Sequence, residues 1–131
     1  MKYLLLVGHA GIAQGIEAAL TMLMGPREYV RACDMADGMG PEEYGREVSS
    51  AIEPMTADDE VIVLADIGGG SPLRCALATL DERGLNRSPV SFGGANLPMA
   101  ISALMGIEDD LDLDTICDAM LSEGVQGVKQ L

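Results

Sequence analysis

The sequence predicts an α/β fold, a parallel sheet with helices on both faces. Short apolar runs alternate four times with stretches of helical period, and the first and third runs are continuous enough to be strands buried on both sides. The connections are short and no linker-like stretch interrupts them, so residues 1–131 are read as a single domain.

Tyr3 to Val7 is the first apolar run and stops at Gly8. From Ile12 the period becomes helical: Ile12, Ile16, Ala19, Leu20 and Leu23 fall on one face, and Gly25-Pro26 ends it. Tyr29 to Met35 reads as a second strand, closed by the turn residues Asp37 to Pro41. Pro41 suits a first helical turn, and Tyr44, Val48 and Ile52 form a stripe that ends near Pro54. Val61 to Ala65 is the clearest strand. It runs into Asp66-Ile67-Gly68-Gly69-Gly70-Ser71-Pro72, and a helix follows from Pro72 to about Arg83. Pro89 to Phe92 is the fourth strand, closed by Gly93-Gly94, and Asn96 is placed to cap a helix from Leu97 to about Met105. Asp112 or Asp114 caps a last helix ending near Leu121, and Val125 to Leu131 has the character of a short strand.

Composition narrows the function. With 131 residues, 48% of them hydrophobic, the chain can build a core without a metal or disulfides. A net charge of −13 argues against nonspecific binding to nucleic acid or anionic lipid. Seven acids and no base lie between Glu108 and Glu123, a solvated negative face. Cys33, Cys75 and Cys117 are odd in number and form no CxxC pair, which points to a reducing compartment and to neither a disulfide framework nor a zinc site. No run approaches the ~20 apolar residues of a membrane span. The expected location is the cytoplasm.

Open α/β sheets bind ligands beyond the carboxyl ends of their strands, where strand order reverses. In the flavodoxin-like order 2-1-3-4 that point lies between strands one and three. Strand one ends in Gly8-His9-Ala10-Gly11 and strand three in Asp66 to Pro72, so the one histidine of the chain meets its densest glycine cluster and a carboxylate. Each has an ordinary explanation when taken singly: a structural histidine, a turn or capping aspartate, a tight strand-to-helix turn. Their convergence points to chemistry. A nucleophilic histidine needs one ring nitrogen free and the other held by an acceptor, and Asp66 supplies the acceptor. The backbone N–H groups of Gly69, Gly70 and Ser71 at a helix start suit an oxyanion or phosphate, with the Ser71 hydroxyl as a further donor. Those are the parts of a phosphoryl-accepting histidine.

Other motifs are incomplete. Gly68 to Ser71 lacks the Lys-Ser/Thr ending of a P-loop. Asp110, Asp112 and Asp114 begin like a calcium loop, but Thr115 and Leu121 replace its glycine and closing glutamate. Ser71 precedes a proline rather than occupying a nucleophile elbow. A rival reading is a nucleotide- or flavin-binding module, with Gly8, Gly11 and Gly15 in the first turn and Asp34 on a ribose. It leaves His9 and Asp66 without a task. A regulatory or structural dimer whose histidine never turns over is a further alternative.

Three segments together carry a resemblance: His9 to Ile16 (HAGIAQGI), Asp66 to Pro72 (DIGGGSP) and Asn96 to Met99 (NLPM). They resemble the enzyme IIA domain of the mannose/fructose/sorbose family of the phosphoenolpyruvate-dependent sugar phosphotransferase system, and Gly124 to Lys129 is similar to that family's ending. The resemblance implies a cytoplasmic phosphocarrier without cofactor or metal. His9 would accept a phosphoryl group from phospho-HPr and pass it to a IIB subunit, which works with membrane IIC and IID subunits in carbohydrate uptake. Asp66 would hold the ring and Ser71 would lie by the phosphoryl group. A C-terminal antiparallel strand exchanged in a homodimer is also implied. The phosphotransfer subunit of a dihydroxyacetone kinase is an alternative in the same superfamily. Two positions depart from the family pattern: Ala10 stands where glycine is usual, and Arg74 where asparagine is favoured. If the loop needs a positive φ at Ala10, the departure strains it.

Overall fold

A computed structural model of the chain describes residues 1–85 and 90–131. The elements run β1 (Lys2–His9), α1 (Ile12–Met24), β2 (Val30–Met35), α2 (Pro41–Ala51), β3 (Glu60–Ala65), α3 (Ser71–Glu82), β4 (Val90–Phe92), α4 (Leu97–Glu108) and α5 (Leu113–Gln126). All strand pairs are parallel and the order is β2-β1-β3-β4, as the sequence predicts. Pro89, the expected start of the fourth strand, lies outside the described residues.

The two central strands divide their side chains between two cores. Tyr3, Leu5 and Val7 of β1 with Val61, Val63 and Ala65 of β3 face α2 and α3, where Tyr44, Val48, Ile52, Leu73, Ala76 and Leu80 meet them. Leu4 and Leu6 with Ile62 and Leu64 face the other way, onto Ala13, Leu20, Met99, Ala103, Leu104, Ile116 and Met120 of α1, α4 and α5. Burial of each large aliphatic side chain stabilises the fold by about 1.5–3 kcal/mol. This double burial is why both strands read as unbroken apolar runs. Tyr44 is fully buried yet satisfied, because its hydroxyl donates to the Cys33 carbonyl at 2.7 Å.

Helix starts follow the sequence signals. Asn96 Oδ1 accepts from the Met99 amide at 3.0 Å, and Asp112 Oδ1 from the Thr115 amide at 2.8 Å, so Asp112 rather than Asp114 is the cap. Helix α5 outlasts its expected end at Leu121. Gly124 is a packing position inside it: a Cβ there would collide with Met99, and Asn96 Nδ2 donates to the Gly124 carbonyl at 3.0 Å. Val125 and Gln126 are therefore helical, and residues 127–131 form no strand. The expected C-terminal strand is corrected to that extent. Leu121, Val125, Val128 and Leu131 are exposed along this end of the molecule.

Candidate functional site

The site forms because β1 outruns its neighbour. Val7 pairs with Ala65, the last residue of β3, while Gly8 and His9 continue alongside Asp34 and Met35 of β2. The Asp66 amide still donates to the Val7 carbonyl at 3.2 Å, which swings the aspartate beneath the end of β1. There Asp66 Oδ2 accepts from the His9 amide at 2.9 Å and lies 2.8 Å from His9 Nδ1, while Oδ1 accepts from the Ile67 amide at 2.8 Å. An ionised carboxylate can only accept, so the proton of a neutral ring is assigned to Nδ1. Burial pushes the Asp66 carboxyl up, but the bonds from the His9 amide, the His9 ring and the Ile67 amide outweigh it and hold the group below the usual carboxylate range. The His9 side chain is 46% exposed against 11% for Asp66. A half-open ring thus rests on a nearly closed carboxylate, and Nε2 has no hydrogen-bond partner among the described residues.

Glycines shape the surroundings. A Cβ on Gly70 would lie 2.9 Å from His9 Cε1, so the chain entering α3 passes directly against the imidazole. A Cβ on Gly93 would lie 2.6 Å from the Gly68 backbone, so the β4–α4 loop presses on the loop that carries Asp66. The same loop donates from the Gly94 amide to the Asp66 carbonyl at 3.0 Å and from the Ala95 amide to the Ala65 carbonyl at 2.9 Å. Gly70 caps α3 in an extended conformation, no side chain caps that helix start, and Pro72 occupies its first turn. His9, Asp66 and Gly70 are therefore in contact. Ser71 follows as the first helical residue without a bond to the dyad, and Gly69 is exposed beside them.

Ala10 has φ +59°, the left-handed region that the sequence flagged as straining. Its amide donates to the Met35 carbonyl at 2.9 Å, which fixes the turn.

Asp34 has a different task from the ribose contact considered above. Its two oxygens accept from the Ala13 and Gln14 amides at 3.0 and 2.9 Å, capping α1 from the end of β2. The groove at this sheet edge, about 380 Å³, is lined by Glu17, Asp34 and Glu47 against the single cation Arg31, a balance of charge that opposes a nucleotide phosphate. Sequence reading missed this cap because donor and acceptor lie on different elements. It also missed the apolar rim: Ile12 and Ile67, beside His9 and Asp66, are 43% and 54% exposed.

Comparison with known proteins decides the family. The family model described as the fructose IIA component of the PTS system matches residues 3–121. The chain belongs to that family. This IIA component is 26% identical over 123 residues to the mannose-specific EIIAB component of the PTS system of Escherichia coli, covering 94% of this chain and 37% of that protein. It thus spans well under half the length of the curated relatives it matches. Its fold is that of the phosphotransferase system component EIIA from Streptococcus agalactiae, with TM-score 0.83, 22% identity and coverage of 99% and 97% of the two chains. The mannose/sorbose-specific IIA subunit from Enterococcus faecalis gives TM-score 0.81, 22% identity and coverage of 100% and 96%. Among the described residues of the IIA component, no helix is long and apolar enough to cross a membrane.

Proposed function

We propose that this IIA component is a phosphocarrier of a sugar phosphotransferase system, taking a phosphoryl group from phospho-HPr on His9 and delivering it to a IIB subunit for uptake through IIC and IID subunits. The carrying observation is the 2.8 Å contact between His9 Nδ1 and Asp66 Oδ2, which commits one ring nitrogen and leaves Nε2 as the nucleophile. The Nε2 lone pair attacks phosphorus, the new N–P bond forms, and the donor keeps the electron pair of the bond that breaks. No proton need leave the ring. Nδ1 keeps its proton, which it donates to the Asp66 carboxylate, and that carboxylate balances the positive charge the ring acquires; the same steps reversed pass the group onward.

In this reading the Gly69, Gly70 and Ser71 amides and the Ser71 hydroxyl, at an uncapped helix start, serve as donors to the phosphoryl oxygens. The exposed Ile12 and Ile67 beside a half-open histidine suit a protein donor rather than an enclosed small molecule. A cytoplasmic location and a homodimer complete the reading. Intact mass after incubation with phosphoenolpyruvate, enzyme I and HPr should rise by one phosphoryl group, and His9→Gln should stay unlabelled. Undiminished labelling of His9→Gln overturns the assignment.

A further inference from the structure

Arg74 lies one turn into α3, and its guanidinium turns back toward the helix start, where Nη2 donates to Ser71 Oγ at 3.4 Å. That bond is long, and a charged acceptor nearby would displace it. Ser71 directly follows Gly70, which sits against His9 Cε1, the ring carbon between Nδ1 and Nε2. The guanidinium is thus tethered to the residue after the one that meets the ring, and because Asp66 holds Nδ1, the nitrogen left free on that ring is Nε2.

Its charge is unanswered. Arg27 is paired with Glu108, and Lys2 with Glu60 and Asp110; Arg31, Arg46, Arg83 and Lys129, like Arg74, form no ion pair among the described residues, but Arg74 is the one whose guanidinium reaches a residue at the start of α3. Arg74 has no carboxylate within ion-pair distance among the described residues, although the protein has a net charge of −13. A phosphoryl group on Nε2 brings negative charge and three acceptor oxygens next to the Asp66 carboxylate. A planar fork of donors with a fixed positive charge meets both needs, and an ammonium does so less well.

We propose that Arg74 contacts the phosphoryl group carried by His9 and prolongs the life of the phosphohistidine. The inference rests on the phosphocarrier reading. It assigns to Arg74 a role that Ser71 and the backbone amides, being neutral, do not fill.

Phosphoramidate, a small phosphodonor, loads histidine without partner proteins and so separates the two questions. Wild type, Arg74→Lys and Arg74→Ala should each take one group on His9. At low salt the phosphoryl group of Arg74→Ala should hydrolyse about three- to tenfold faster than that of wild type, with Arg74→Lys between them. The gap should narrow toward about 1 M salt, where exposed charges are screened. Melting temperatures should coincide, because Arg74 is exposed. Equal lifetimes in all three proteins at low salt overturn the role of Arg74 while leaving the carrier reading in place. A wild type that takes no group from phosphoramidate or from the phosphoenolpyruvate cascade overturns both. Loading by phosphoramidate alone overturns the partner assignment, and the lifetimes still decide the role of Arg74.

Discussion

One oxygen of Asp66 holds both the backbone and the ring of His9: Oδ2 lies 2.9 Å from the His9 amide nitrogen and 2.8 Å from Nδ1. The amide bond fixes where the chain leaves β1, and the ring bond fixes the tautomer. Position and protonation of the proposed nucleophile therefore depend on one carboxylate.

Asp66→Asn should slow phosphoryl transfer by about 100-fold or more while the far-UV circular dichroism stays that of wild type. The amide can still accept from the backbone, but it balances no ring charge. Single-turnover transfer from phospho-HPr measures this, and a variant as fast as wild type removes the orienting role.

Stability should fall on the acid side of pH 3.8, the ordinary carboxyl value for Asp66. Its folded-state value is depressed, so as pH drops the unfolded chain binds the proton first, and the contribution present above that pH is lost through the folded value. Asp59 adds to the same trend: burial raises its carboxyl, but the Thr56 bonds and the N-terminal ammonium outweigh that and lower it. Urea unfolding from pH 6 down to pH 2 should show the loss, with a shallower slope in Asp66→Asn.

Ala10→Gly should stabilise the protein by about 0.5–1 kcal/mol. Relief of the left-handed Ala10 backbone, φ +59°, exceeds the extra freedom glycine gives the unfolded chain. A shift of the urea midpoint upward with unchanged slope is the expected result.

Gly93→Ala should cost about 1–3 kcal/mol and slow transfer as well. The added carbon would meet the Gly68 backbone at 2.6 Å, and backbone cannot swing aside as a side chain does. The displaced loop is the one that carries Asp66. Thermal melting and transfer rate should therefore fall together, whereas melting alone would mean that the loop moves without disturbing the dyad.

Light scattering should give twice 13.7 kDa, the mass of one chain. Val125 and Val128, 73% and 78% exposed, line a groove with Gly93 and Gly94 beside β4, the edge strand of the sheet. Replacing both valines by aspartate should yield monomers, and a stable dimer in that variant places the interface elsewhere.

The fold was legible where one element carries its own signal. The continuous apolar runs of β1 and β3 announced a doubly covered sheet, and Asn96 and Asp112 announced their helices. The His9–Asp66 pairing was legible because strand order places the ends of β1 and β3 together. What escaped depended on contacts between distant segments. Gly124 looks like a break until Met99 lies against it, and Asp34 looks like a ligand group until α1 is brought to it. Ile12 fitted the buried stripe of α1 by spacing alone, yet it lies at the rim because the first turn overhangs the sheet end.

The Asp34 cap makes the two helices that begin near His9 unequal. Both begin close to the nucleophile, and each would by itself present a partial positive end to an approaching anion. Asp34 answers that end of α1 with a carboxylate whose oxygens accept at 3.0 and 2.9 Å, whereas no side chain caps the start of α3. The field around His9 is therefore lopsided. On the phosphocarrier reading, the start of α3 at Gly70 and Ser71 is the end left open to the phosphoryl group, a bias set by an aspartate that never touches it.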